Sequence, residues 1–495
     1  MTSSDARPLT DAPFERVTIE GIPAYVATGG PRYTGLLLFR TGHADEPLRH
    51  TGLSHLVEHL ALFTLGANVP YSFNGWVGPL FTCFYATGTP DEVGGFLNAV
   101  AKALGALPLE RLRDEARVLR TEAAGRSAGV AGELLWFRYG ASGHGKVTLP
   151  EFELADPSPD AVREWARTRF TAGNAALWFS GQPPANLALG LPAGTRIAPP
   201  PLVPVPDVTY PAWTHASPGG VGMSFVAPRS DWLGVPLAIA ADRLRSKLRF
   251  ERGMLYDVAL QYDPLLKDVA HACLWAGCLQ EHESAVRDAL VEVIEEMARS
   301  GANPDELERV REKYRRGFAD ADSATDVLMS AVMDELLGAP VHRPAELIAE
   351  LGALTPAEIA RRMKAALATA LLRLPLTCPP PSARFLRYPT WSKTVASGRS
   401  YRARSAVMPW TKSHRLIVGR DSASLLTPAD DAVTIDYSSC CVAVLFPGGV
   451  LEMYGQDGFR IRVEPQFWRD GAKAVDELLE LLPRERVVRV PAAAQ

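Results

Sequence analysis

The stretch HTGLSHLVEHLALFTLG, residues 50 to 66, holds the residues best suited to chemistry, because His55, Glu58 and His59 form an H-x-x-E-H pattern inside an apolar run. If that run is helical, His55 and His59 are four positions apart and share a face. Two imidazoles so placed can converge on one metal ion at roughly 2.0 to 2.1 Å each. Glu58 sits three positions after the first histidine and one before the second, so it can reach water on that ion without being a ligand. Zinc lowers the pKa of such a water towards about 7, where a carboxylate suffices as general base. Two histidines do not complete a zinc site, so a third ligand is required. Downstream, RLRDEARVLRTEAAGR (111 to 126) places Glu115 and Glu122 two helical turns apart and therefore on one face. Either satisfies the argument, although a solvated helix face is commonly rich in glutamate.

The elements that must position these residues follow from periodicity. Short β-type runs (RVTIEG, PAYVATGG, TGLLLFRTG) between residues 16 and 42 are separated by glycine and proline turns, so strands precede the first helix. A helix is expected over about 51 to 65, a strand over 80 to 87, helices over 90 to 107, 108 to 125 and 158 to 170, then the strand NAALWFSG. Residues 183 to 218 are crowded with proline, which sustains neither a helix nor a central strand, and read as a linker. The order then repeats in outline: a strand (GVGMSFVAP), a helix over 235 to 252, strands across 256 to 279, and five helices between 282 and 369. The fold class expected is α+β, two similar halves with antiparallel sheets covered by helices, at 14 to 182 and 219 to 374. A second break at 375 to 412 joins prolines to basic residues and reads as a solvated linker, or as a docking strip for an acidic partner. Residues 413 to 495 show short strands (RLIVGR, AVTIDY, CCVAVLF, FRIRVEP) and one helix over 467 to 482, a small β-rich module that resembles a pleckstrin-homology-like barrel.

Size and composition narrow the classes. A chain of 495 residues exceeds one compact core, and 47% hydrophobic with 22% charged residues is ordinary globular composition. A net charge of -4 gives no global reason to expect nucleic acid or an anionic membrane as partner. The opening residues have no apolar run of signal-peptide type and no later segment approaches the roughly 20 apolar residues of a membrane span, so a cytoplasmic protein is expected. Cys83, Cys273, Cys278, Cys378, Cys440 and Cys441 lack the paired spacing of a zinc ribbon and read as reduced, mostly buried thiols.

GLSHLVEHLALFTLG followed by EARVLRTE resembles the insulinase and pitrilysin peptidases, zinc enzymes with the inverted motif. The resemblance implies one zinc ion per chain held by His55, His59 and Glu122, with Glu58 as the base and Glu115 as a supporting carboxylate. Across the linker, SKLRFERGMLYDV (246 to 258) is similar to the family's Arg/Tyr signature, which implies that Arg249 and Tyr256 hold the substrate and its developing oxyanion. Asn74, in YSFNGWVGP, matches the family's asparagine on the substrate-pairing edge strand, though Gly75 and Trp76 follow where another pattern is common. The 63-position gap from His59 to Glu122 is shorter than the family's usual one, as if a helix were missing before Tyr71. The family's Gly-rich loop is not evident. The resemblance spans about residues 14 to 370 and excludes the C-terminal module.

The function so implied is a zinc metalloendopeptidase acting on peptides or unfolded segments, the peptide bound as an added strand and enclosed between two halves. Family members of this length form half of a closed chamber, which implies a homodimer, or a heterodimer with a related subunit. The alternatives are a catalytically silent scaffold or processing subunit, which generally loses metal ligands, and an interaction protein acting through the C-terminal module.

Overall fold

Strand β3 (Tyr33–Phe39) lies at the heart of the first half, and its alternation shows how that half is built. Leu37 and Phe39 point into one core, Leu36 and Leu38 into another, so the sheet is covered on both faces. The computed structural model describes residues 14–490 except 28–31, 67, 126, 217–218, 251–252, 320–323 and 405–413, together with the side chains of residues 250, 256, 318–319 and 324–327.

The first half contains β1 (Glu15–Ile19), β2 (Ile22–Val26), β3, α1 (Leu53–Phe63), β4 (Ser72–Val77), β5 (Thr82–Gly88), α2 (Pro90–Gly105), α3 (Leu112–Ala124), α4 (Gly129–Tyr139), α5 (Pro159–Arg169) and β6 (Ala175–Phe179). Its sheet runs β1-β2-β6-β3-β5-β4, with only β2 and β6 parallel, which leaves β4 at the edge beside β5. Leu56 and Leu60 of α1, Phe96 of α2 and Trp165 of α5 fill one face.

The second half contains β7 (Ala212–Ala216), β8 (Val221–Pro228), α6 (Gly234–Leu244), β9 (Leu255–Pro264), β10 (Val269–Cys278), α7 (Glu283–Ser300), α8 (Pro304–Ala319), α9 (Ala324–Leu337), α10 (Pro344–Ala353), α11 (Pro356–Leu367), β11 (Leu371–Pro375) and β12 (Leu386–Arg387). Its sheet runs β12-β7-β11-β8-β10-β9, so β9 is the opposite edge. The helix expected to run to 252 gives way after Leu244 to a π-helical turn over Arg245–Phe250.

Each half lends a helix to the other. Leu328, Val332 and Leu336 of α9 cover the back of the first sheet against Tyr25, Leu38 and Trp178. In return, Val130 and Leu134 of α4 pack on Cys273 and Leu371 of the second sheet. Buried Arg138 of α4 donates to Ser224 Oγ (3.0 Å), Ser224 O (2.8 Å) and Thr369 O (2.7 Å), while Glu133 pairs with buried Arg373 at 2.8 Å. These bonds satisfy charges that would otherwise be costly in the seam.

Helix α4 has no counterpart in the periodicity reading. Its segment GVAGELLWFRY carries two glycines and apolar residues on several faces, which suits a helix buried between layers and gives no amphipathic stripe. Both proline-rich stretches also contribute strands. Strand β7 begins directly after Pro211, at the end of the first stretch, and the second supplies β12 and β13 (Gly398–Arg402). Prolines confine pairing here without abolishing it, because β7, β12 and β13 each fall between prolines and contain none, so no donor is lost within them.

The C-terminal module adds β14 (Arg415–Gly419), β15 (Ser422–Leu426), β16 (Ala432–Asp436), β17 (Cys440–Leu445), β18 (Leu451–Gly455), β19 (Arg460–Val463), α12 (Gly471–Leu481) and β20 (Val487–Arg489). It forms two four-stranded sheets, β13-β14-β15-β16 and β19-β18-β17-β20, and not a closed barrel. They share a core with α12 through Leu416, Ile435, Met453, Ile461 and Leu478, and an isolated bridge joins Ala403 to Trp468. All six cysteines are free thiols, four of them buried. Among the described residues, no helix is long and apolar enough to cross a membrane.

Candidate metal centre

Helix α1 forms because Leu53, Leu56, Val57, Leu60 and Ala61 recur at helical spacing and sink into the core. Its N-cap, Gly52, is left-handed (φ 102°) and has no side chain with which to cap the helix. Buried Glu46 does so instead, its carboxylate accepting from Gly52 N (2.7 Å) and Ser54 N (2.6 Å). Burial pushes the Glu46 carboxyl up to about 7, against the opposing pull of those N–H groups and of Lys146.

Along this helix, the rings of His55 and His59 stand 5.0 Å apart at right angles. Helix α3 brings Glu115 and Glu122 alongside. Glu115 Oε2 lies 3.4 Å from His59 Nδ1, and Glu122 Oε1 lies 3.8 Å from His59 Nε2. The two glutamates that spacing leaves equivalent thus face different nitrogens. On the other side, Glu151 Oε1 lies 2.9 Å from His55 Nδ1. Each imidazole therefore has a carboxylate acceptor at Nδ1, which places the proton there and the lone pair on Nε2. Burial, with His55 nearby, lowers the His59 pKa although Glu122 and Glu115 oppose it, so the ring stays neutral.

One ligand atom from each of His55, His59 and Glu122 lies within 4.8 Å of the others, a spacing and a donor set (two imidazole nitrogens and a carboxylate) that fit a zinc ion with a fourth position open. Glu58 is buried, and its Oε2 sits 3.9 Å from His55 Nε2 and 3.8 Å from His59 Nε2. Above it runs β4: a Cβ built on Gly75 would come 2.3 Å from Glu58 Oε1. Gly75 therefore lets the edge strand cross directly over the carboxylate.

Asn74 is exposed on that strand and its Oδ1 accepts from Gly75 N at 2.9 Å. Arg249 and Tyr256 lie elsewhere, on the second half. Arg249 is exposed in the π-helical turn with Asp257 in its field, and Tyr256 is the second residue of edge strand β9, its side chain outside the described residues. Sequence reasoning missed Glu46 and Glu151. Neither lies in a periodic pattern with α1, and the only signal for Glu46 is an acid shortly before a helix that lacks a capping side chain.

No family model and no curated protein matches this sequence. Solved structures do. A protease from Helicobacter pylori matches with a TM-score of 0.59 at 14% identity, covering 73% of this chain and 99% of that one. A peptidase M16 inactive domain from Pseudomonas fluorescens gives 0.58 at 15% identity, covering 74% and 99%. Pitrilysin gives 0.56 at 14% identity, covering 78% of this chain and 46% of its own. The chain thus has the mixed, antiparallel-rich fold of the pitrilysin-like M16 peptidases. Such low identities establish the fold alone, and one of these neighbours is by name inactive.

Proposed function

We propose that this chain is a zinc metallopeptidase that hydrolyses peptide bonds in peptides or unfolded segments. The observation that carries the reading is the convergence of His55, His59 and Glu122 within 4.8 Å, with Glu58 buried beside both Nε2 atoms. A zinc ion held there would supply Lewis acidity, polarising a carbonyl and acidifying water. Glu58 then takes the proton of the attacking water and later passes it to the leaving amine. Glu115 orients His59. The outer edge of β4, carrying Asn74, accepts the peptide as an added strand, so main-chain hydrogen bonds align the scissile bond over Glu58. Arg249 and Tyr256 bind the carbonyl and its developing negative charge, each pair serving the site of a partner copy in a homodimer.

The purified protein is expected to hold one zinc per chain, lost in His59→Ala or Glu122→Ala and kept in Glu58→Gln. Turnover of a peptide library should fall on the order of 10² to 10⁴ in Glu58→Gln. A reconstituted wild type without zinc would sink the metallopeptidase reading. Zinc bound with no turnover in the wild type would favour the second reading, a silent relative like the neighbour that is inactive by name.

A further inference from the structure

The sequence assigns no role to residues 140 to 154, and the C-terminal module follows both halves in the chain. Both bear on His55. Glu151 follows Pro150 in a loop that runs past the entrance of α1, and its Oε1 reaches His55 Nδ1 at 2.9 Å. That loop is tied on both sides of Glu151 to one residue, buried Thr51. Thr51 Oγ1 donates to Pro150 O (2.9 Å) and accepts from Phe152 N (3.0 Å), and Thr51 O accepts from Glu153 N (3.0 Å). Next in the chain, Gly52 makes room: a Cβ there would come 2.9 Å from Glu151 Cβ. His50 Nδ1 meets Glu153 Oε2 at 2.5 Å, closing the same corner.

The outer side of this loop rests on the C-terminal module. Phe152 is buried against Val442, Val444 and Tyr454, and the Phe152 and Tyr454 rings meet edge to face with centroids 5.9 Å apart. Leu48 and Leu149 join that cluster, and Arg49 Nη1 donates to Glu485 O at 2.8 Å. The close approach continues at Gly140, where a Cβ would strike Gln456 O at 2.4 Å. The sheet of β17 and β18 therefore backs both the residues that enter α1 and the loop that carries Glu151.

We propose that Glu151 is a positioning residue for the metal ligand His55, and that the C-terminal module, through Tyr454 and Phe152, keeps Glu151 in place. This rests on the metal-site reading above. Glu151 holds the Nδ1 proton and fixes the ring plane so that Nε2 faces His59 and Glu122; partners of this kind typically contribute about 10- to 100-fold in metal affinity. The module is then part of the metal centre's support, and its docking and the ion's binding reinforce each other.

The test measures zinc affinity of the full-length protein by competition with a chelating dye, and the visible spectrum of the cobalt-substituted protein. Glu151→Ala is expected to weaken zinc by about 10- to 100-fold and to alter the cobalt spectrum, and Glu151→Gln, which keeps a neutral acceptor, to recover part of the loss. Melting of the metal-free protein should change little in either variant. Tyr454→Ala should weaken zinc by a smaller factor, and that factor should vanish in the Glu151→Ala background, because both act through one contact. Tyr454→Leu serves if the alanine variant fails to fold. Wild type that binds zinc alongside a Glu151→Ala variant within about twofold of it would overturn this proposal alone. Full additivity of the two substitutions would overturn the route through Tyr454. Wild type that takes up no zinc would overturn the metallopeptidase reading, and this proposal with it.

Discussion

The Glu58 carboxylate lies in a gap that one missing methyl group provides. Gly75 stands above it on β4, and the added Cβ of an alanine would lie 2.3 Å from Oε1 and 2.9 Å from Cγ of Glu58. The clash reaches past the carboxylate oxygen to Cδ (3.0 Å) along a buried side chain on a packed helix, so Glu58 yields by turning away from the two imidazoles. Gly75→Ala is therefore expected to cut kcat on the order of 10²-fold, the usual consequence of about 1 Å of misplacement, while zinc content stays at one per chain. Metal analysis beside steady-state kinetics checks it. Near-normal kcat would mean that the observed position of Glu58 is not the working one.

At the scale of an element, α1 depends on an entrance its own sequence does not cap. Gly52 holds φ at 102°, which an L side chain adopts only with strain, and its neighbour across the gap is Glu151. Gly52→Ala should cost about 1 to 3 kcal/mol of stability from the backbone alone, read as a lower denaturation midpoint in urea. The same substitution pushes on Glu151, so zinc affinity should fall with stability. Retained stability would show that the corner relaxes to another conformation.

Over the whole molecule, the exchanged helices leave three imidazoles in or near the seam. Burial, helped by Lys146 and His144, lowers His43 to about 3, and burial lowers His144 to about 4 while its Nε2 faces Leu265 O of the other half at 3.1 Å. Burial, with Arg138 and His144 nearby, takes His271 well below the ordinary histidine value. A folded-state pKa below the unfolded one means stability present above about pH 6.5 and lost as pH falls towards the folded values. Glu46, raised to about 7, acts in the opposite direction, since its contribution is lost as pH rises through that value. The three imidazoles, with His59 acting in the same sense, outweigh Glu46, so the metal-free protein should lose stability as pH falls from 7 to 5. Urea denaturation at pH 7, 6 and 5 measures it, and a flat or rising stability would contradict the assignment. The homodimer proposal also belongs to this scale. Glu58→Gln and Tyr256→Phe should each be severely impaired alone, while co-expression at equal levels should restore about a quarter of wild-type activity if sites are shared between copies. Co-assembly without recovery would rule out sharing.

What was legible in the sequence is what short-range geometry dictates. His55, Glu58 and His59 fall on one stretch of helix, Glu115 and Glu122 on another, and the period of 3.6 puts each set on a face before any tertiary contact forms. The strands RVTIEG, TGLLLFRTG and NAALWFSG, and most helices, follow from the same local rules. Tertiary structure decided the rest. That Glu115 faces Nδ1 of His59 and Glu122 faces Nε2 depends on how α3 lies against α1. That Glu151 reaches His55 across 96 positions, that Gly75 must lack a side chain, and that α4 and α9 cross between halves depend on packing between segments distant in the chain. Periodicity records which face of an element is buried; it carries no record of what buries it, because any apolar surface of the right shape satisfies the same hydrophobic demand.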